Sequence, residues 1–252
     1  MKRTRQELNL FFNALTFFTR LPAPSWVEFD EHSMQQATRY LTWIGLLLGG
    51  ILALALISLQ QLLPDSIAVI LTLVLAMLLT GALHEDGLAD CADGFGGGWN
   101  KEQILKIMKD SAIGSYGALA LGSVIALKWA GLSATADPVI ALLLAHTLSR
   151  LLTYSHLYTD NYARSDDSSK SAQVVNRISR HELLFASIPV LLLIPFVPIT
   201  CWLILIPLIA LRLWLGSVYR RKLGGYTGDC LGASQQLSET MILVLLSAPL
   251  LS

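Results

Sequence analysis

Charge is what this chain has least of. Asp, Glu, Lys and Arg make up 14% of its 252 residues, against 54% hydrophobic ones, whereas a soluble domain carries roughly 25% charged residues. That shortage excludes an ordinary soluble surface. Cysteine is also scarce: Cys91, Cys201 and Cys230 are the only three. Their spacing fits neither a disulfide framework nor a zinc-ligand set, so they read as reduced, structural thiols. Lys and Arg are missing altogether around Pro64-Asp65, from Ala134 to Asp137 and from Val197 to Thr200. No fixed-period repeat and no hinge-like linker divides the chain, so residues 1–252 read as one integral-membrane domain. The formal net charge is zero, and nothing in it points to nucleic acid.

Hydrophobic runs fill the space that charge leaves. Stretches near 41–63, 66–83, 115–133 and 138–155 are each long enough for a hydrocarbon core, which takes about 17 to 25 residues. Residues 183–216 form a longer apolar region broken by Pro189, Pro195, Pro198 and Pro207, read as two spans meeting near Pro198. The tail 239–252 is apolar but short. The fold class expected is all-α: a polytopic transmembrane helix bundle of about six or seven spans. Basic residues set its orientation. They cluster at 2, 3, 5, 20 and 39, at 101, 106 and 109, at 164, 170, 177 and 180, and at 220–222. By the positive-inside rule the N-terminus and the connections 84–114, 156–182 and 217–238 face the cytoplasm, and the outer turns are short.

Lys2, Arg3 and Arg5 ahead of Leu8-Asn9-Leu10-Phe11-Phe12 imitate a signal peptide, but Asn9, Asn13, Thr16 and Thr19 interrupt the apolar run. With Phe11, Phe12, Leu15 and Phe18 on one helical side, residues 1–25 read instead as an amphipathic interfacial helix. Leu21-Pro22-Ala23-Pro24 ends it, since proline cannot continue a helix.

The chemistry concentrates after the second run, in His84-Glu85-Asp86-Gly-Leu-Ala-Asp90-Cys-Ala-Asp93-Gly94-Phe-Gly96-Gly97-Gly98. On a helix Asp86, Asp90 and Asp93 project from one face, where like charges repel. A hard divalent cation turns that repulsion into binding, and Mg²⁺ usually shares such carboxylates with substrate phosphates. Asp86 to Asp90 is about 6 Å along the axis and Asp90 to Asp93 about 4.5 Å, so Asp90 is the natural central ligand. Gly94 and Gly96 to Gly98 are expected to end the helix in an anion-accepting loop, with Gly96 and Gly97 as substrate-binding backbone. The bland alternative is a polar membrane-exit helix followed by a flexible turn.

Further candidates are single residues. Lys101 to Lys109 reads as an amphipathic helix with Ile104, Ile107 and Met108 on its apolar side; Lys109 would neutralise phosphate, and Asp110 would add a ligand. Arg150, with His146 and Tyr154 one turn to either side, suits bidentate phosphate binding, because an Arg inside an apolar helix faces a cavity or partner by default. Lys128 lies well inside its span with no partner evident. Gly224-Gly225-Tyr226-Thr227-Gly228-Asp229 repeats the glycine-with-acid pattern in the third inner connection, as part of the site through Asp229 or as a plain turn.

At these residues the chain resembles a known family. The stretch Gly81-Ala-Leu-His84-Glu85-Asp86-Gly-Leu-Ala-Asp90-Cys-Ala-Asp93-Gly-Phe-Gly-Gly97, then Ile107-Met-Lys109-Asp110-Ser-Ala-Ile-Gly114-Ser-Tyr-Gly117, is similar to the adenosylcobinamide-GDP ribazoletransferases, the cobalamin synthases of the late corrinoid pathway. Phe18-Thr-Arg-Leu-Pro22 and Gly225-Tyr-Thr-Gly-Asp229 resemble that family's landmarks as well. The resemblance implies a multi-pass enzyme of the bacterial inner membrane that needs Mg²⁺. It joins adenosylcobinamide-GDP to α-ribazole or its 5′-phosphate and releases GMP. Glu85, Asp86, Asp90 and Asp93 would supply metal ligands and a base, with Asp86, Asp90 and Asp93 on the metal and Glu85 or His84 accepting the proton. Other implied partners are membrane lipid, and a second copy or other corrinoid-pathway enzymes. Two rivals match less well. CDP-alcohol phosphotransferases place an acid and an arginine where this chain has Leu83 and Asp90. A divalent-cation transporter would carry its site near the bilayer midplane between repeated halves.

Overall fold

The computed structural model describes residues 2–163 and 177–249. Arg164 and Lys170 of the basic connection 156–182 lie outside the described residues. Among the described residues eleven α-helices run in order: α1 Lys2–Phe18, α2 Glu31–Ala37, α3 Leu41–Gln60, α4 Asp65–Thr80, α5 Leu83–Gly97, α6 Lys101–Ile107, α7 Ser115–Ala134, α8 Pro138–Thr159, α9 Arg180–Leu193, α10 Leu205–Leu223 and α11 Gly228–Leu246. Among the described residues the one β-type contact is an isolated bridge between Tyr162 and Tyr226. Among the described residues three helices are long and apolar enough to cross a membrane, Ser33–Gln60, Ser115–Ala134 and Ile199–Leu223, or up to four if α4 and α5, bent by 89°, count as one broken span. The chain is thus an all-helical membrane protein.

α8 and α11 are the enclosed centre, with α3, α5 and α7 packed on them. Both central helices carry polar residues, which their neighbours shield from lipid. α3 approaches α8 through Gly45 and Gly49: a Cβ at Gly45 would fall 2.3 Å from the His146 carbonyl oxygen, and one at Gly49 3.0 Å from that of Leu142. Small residues spaced by four let membrane helices touch backbone to backbone, which matters where lipid offers no hydrophobic driving force between helices.

α1 turns inward a face that includes Leu15 and Phe18 of the expected side. Leu10, Asn13, Ala14, Leu15 and Phe18 are buried, and Phe11 and Phe12 are only half-buried. The asparagines that interrupt its apolar run have a job. Asn9 Nδ2 donates to the Glu28 carbonyl at 2.9 Å while Asn9 Oδ1 accepts from the Glu28 amide at 2.7 Å, and Asn13 Nδ2 reaches the same carbonyl at 3.0 Å. These bonds fold residues 19–30 back along the helix.

The glycine run is not a loop. α5 continues through Gly97, and Gly98 has φ −97°, so the expected positive-φ anion cradle is absent there. The glycines instead make room for neighbours: a Cβ at Gly94 would lie 2.8 Å from Met108, and one at Gly96 2.6 Å from the Tyr116 ring. The final helix also differs from expectation, starting at Gly228 and ending at Leu246 rather than filling 239–252.

Candidate active site

The site begins at the corner between α4 and α5. Gly81 (φ 64°) and Ala82 (φ 56°) are both left-handed, and the Gly81 and Ala82 amides close back on Leu78 and Met77 at 3.3 and 2.8 Å. Alanine in that region is strained by roughly 1–2 kcal/mol, strain that the 89° bend holds in place. Beyond the corner, His84, Glu85 and Asp86 leave the helix about 100° apart and so serve different faces. His84 and Asp86 line a cavity of 720 Å³. Glu85 faces the bundle, where its Oε1 accepts from Gln236 Nε2 at 3.0 Å.

α11 supplies the facing wall. Gly87 of α5 meets Gly232 of α11 so closely that a Cβ on Gly87 would sit 2.9 Å from the Asp229 carbonyl and one on Gly232 3.1 Å from that of His84. This contact brings Asp229 onto the same cavity as Asp86, across more than half the chain. The Gly224–Asp229 connection is rigid. Gly224 ends α10 with φ 79°, Tyr226 N donates to Asn161 O at 2.9 Å, Ala163 N donates to Tyr226 O at 2.8 Å, and Thr227 caps α11 by accepting from Cys230 N. Tyr162 and Tyr226, with rings 5.6 Å apart and edge to face, both line the cavity. Its inner wall is Thr38, Leu41, Thr153, Tyr154 and Leu157, all buried; Arg20, Phe29 and Asp86 are exposed and form its rim. Among the described residues the Thr153 hydroxyl on that inner wall has no hydrogen-bond partner, so an enclosed polar group awaits one.

The other expected residues are elsewhere. Asp90, one turn on from Asp86, is half-buried and off the cavity wall. Asp93 is occupied by the next helix: its Oδ2 accepts from Gly114 N at 2.7 Å and its Oδ1 from Gly117 N at 2.9 Å, so it caps the start of α7. A carboxylate suits that position because a helix N-terminus presents unpaired N–H groups and positive potential. Asp110 is exposed and accepts from Ala112 N at 3.1 Å. Lys109, Gly96 and Gly97 are exposed and also off the wall. Arg150 is 1% exposed and lies inside the bundle.

There Arg150 joins a buried network that the sequence did not announce, centred on Glu239. Glu239 Oε1 meets Lys128 Nζ at 2.6 Å; its Oε2 lies 3.2 Å from His146 Nδ1 and 3.7 Å from Arg150 Nη1 and accepts from Gln235. Lys128 Nζ also donates to Gln236 Oε1 at 2.6 Å, and Gln236 links on to Glu85. Lys128 therefore has its partner. Opposite charges in two apolar helices are the signal that marks such a pair, and Glu239 is inconspicuous because it opens the apolar tail.

Among the described residues no three His, Cys, Asp or Glu side chains converge as a ready-made metal site. The donor chemistry on the cavity wall nevertheless fits a magnesium ion that shares its shell with a phosphate substrate, since such an ion takes one or two carboxylates from the protein. Asp86 and Asp229 would be those two.

Fold and site together define a helical membrane protein with an acidic cavity of ligand size assembled between α5 and α11. Residues 10–247 match the profile of the cobalamin-5-phosphate synthase family, and the chain belongs to that family. It is 47% identical to an adenosylcobinamide-GDP ribazoletransferase of Shewanella frigidimarina, over 93% of this chain and 92% of the relative. It is 45% identical to the protein of that name in Shewanella piezotolerans, over 98% and 97% of the two chains. No solved structure matches.

Proposed function

We propose that this enzyme joins adenosylcobinamide-GDP to α-ribazole or its 5′-phosphate and releases GMP, completing the nucleotide loop of a cobamide at the cytoplasmic face of the bacterial inner membrane. The observation that carries this reading is the cavity itself, where Asp86 of α5 and Asp229 of α11 share one wall. Its 720 Å³ falls within the range of about 300 to 1,000 Å³ typical of small-ligand sites, which suits a diphosphate with one flanking nucleoside. The corrin then stays outside.

The acceptor hydroxyl oxygen bonds to the cobinamide-side phosphorus. The bond from that phosphorus to the bridging oxygen breaks, and its electron pair leaves with GMP. A magnesium ion, when bound, neutralises charge on the diphosphate. Asp86 and Asp229 would hold it, with Asp90 one turn behind Asp86. Of the two proton acceptors expected, His84 lines the cavity, whereas Glu85 turns to Gln236. The aromatic and leucine surfaces of Phe18, Leu41 and Leu157 exclude water, which would otherwise compete as the nucleophile.

The test is GMP release by the purified protein in lipid nanodiscs, supplied with both substrates and Mg²⁺. Asp86→Asn should lower turnover about 100-fold or more with an unchanged melting temperature. Chelation should stop the wild type and added Mg²⁺ restore it. Wild-type protein that releases no GMP under these conditions would reject the activity; a near-normal Asp86→Asn rate would reject the site.

A further inference from the structure

The cavity wall holds two acids and one arginine, and the arginine has no role in the reading above. Arg20 follows α1, and its backbone amide is tied to the Leu79 carbonyl at 2.6 Å, at the α4–α5 corner. Its guanidinium lies against Gly81: a Cβ there would fall 2.3 Å from Arg20 Nε. Among the described residues this side chain makes no hydrogen bond or ion pair, although it lines the same cavity as Asp86 and Asp229. Among the described residues the arginines inside the bundle are matched, Arg150 with Glu239 and Arg212 with Asp160. Among the described residues Asp86 has no side-chain partner either. An exposed arginine held over a bare glycine, at the rim of a cavity whose remaining charges are carboxylates, is arranged for an anion that bridges the two.

Resting on the activity proposed above, we infer that Arg20 binds the diphosphate of the nucleotide-activated substrate and compensates the charge that builds on the departing GMP. Guanidinium is the group for this, because its planar fork meets two phosphate oxygens at once. Gly81 is then required twice, for its left-handed φ and for the space beneath Arg20.

Wild-type GMP release is established first, so that failure of the activity is separate from failure of this assignment. Arg20→Gln should raise the KM for the nucleotide-activated corrinoid about 10- to 100-fold, the loss expected for a charge-assisted hydrogen bond. It should lower kcat as well, and leave the melting temperature unchanged. Arg20→Lys should recover part of the loss. Gly81→Ala keeps the charge but displaces it, and should raise the same KM. The acceptor identifies the phosphate: contact with the diphosphate gives equal losses with α-ribazole and with its 5′-phosphate, whereas a loss confined to the phosphorylated acceptor overturns the assignment. Normal kinetics of Arg20→Gln with both acceptors also overturns it.

Discussion

At the residue scale the buried charges divide into those that hold helices together and those that face substrate. Lys128 and Glu239 are 5% and 4% exposed, and removing one partner of such a pair leaves the other charged and unsatisfied, at a cost of about 3–5 kcal/mol. Lys128→Met and Glu239→Gln should each lower thermal stability by that order. The double variant should be less destabilised than the sum of the two, a non-additivity that a double-mutant cycle reads directly. A second knot lies at the end of α8. His156 Nδ1 is 3.0 Å from Asp160 Oδ2, and His156 Nε2 is 3.2 Å from Ser234 Oγ, a Ser–His–Asp alignment with the spacing of a hydrolytic triad. Ser234 and His156 are both fully enclosed, and neither lines the cavity. Asp160 further accepts from Arg212 at 2.9 Å and from Arg220. The alignment is therefore a staple joining α8, α10 and α11. Burial alone would raise the Asp160 pKa, but the His156 hydrogen bond and the two arginines outweigh it and hold the carboxyl well below the usual carboxylate range. A depressed folded-state pKa stabilises above the unfolded value, about 4, and that contribution is lost as pH falls through the lower folded value. Thermal melts from pH 7 down to pH 3 should show wild-type stability declining below about pH 4. Asp160→Asn should begin about 3 kcal/mol lower and lose less over that interval.

At the element scale, function rests on where helices begin, bend and touch. Substituting Gly87 with leucine would drive a side chain into the Asp229 backbone and separate α5 from α11. Gly87→Leu should therefore cost about 1–3 kcal/mol of stability and disable GMP release. An active, stable Gly87→Leu protein would mean that the close approach is dispensable. The long runs that became α3, α7 and α10 were readable from hydrophobicity, because membrane-spanning length is a local property. Local pattern also gave α6, with Ile104 and Met108 buried as expected. It misled at the glycines after Asp93. Glycine is a turn former in isolation, but here Ile104, Met108 and Tyr116 pack over it and the helix continues. Asp93 shows the same limit: its spacing from Asp90 suggests a ligand, and only the arrival of α7 reveals a cap.

At the scale of the whole molecule, the cavity draws on the end of α1, the α4–α5 corner, the end of α8 and the start of α11. Of the candidates read from the sequence, Asp86, Asp90 and Asp93 share a helix, and Asp229 stood apart as part of the same site or as a plain turn. The ones the fold places together, Arg20, Asp86 and Asp229, come from three distant segments, and no periodicity in a single chain encodes that meeting. Arg20 and Asp229 were nevertheless visible as basic and acidic residues assigned to one side of the membrane, and that shared side is the testable premise of the assembly. Asp65 and Asp137 head α4 and α8 in connections without Lys or Arg, whereas Asn100 and Arg221 lie in basic ones; all four are exposed. Cys91, Cys201 and Cys230 are free but buried, so introduced thiols can be read over a low background. Cysteine at position 65 or 137 should react with a membrane-impermeant maleimide applied outside spheroplasts. Cysteine at 100 or 221 should react only after permeabilisation. Outside labelling at 100 would turn the cavity away from the cytoplasm, where nucleotide-activated substrates are made, and the proposed reaction would lose its supply.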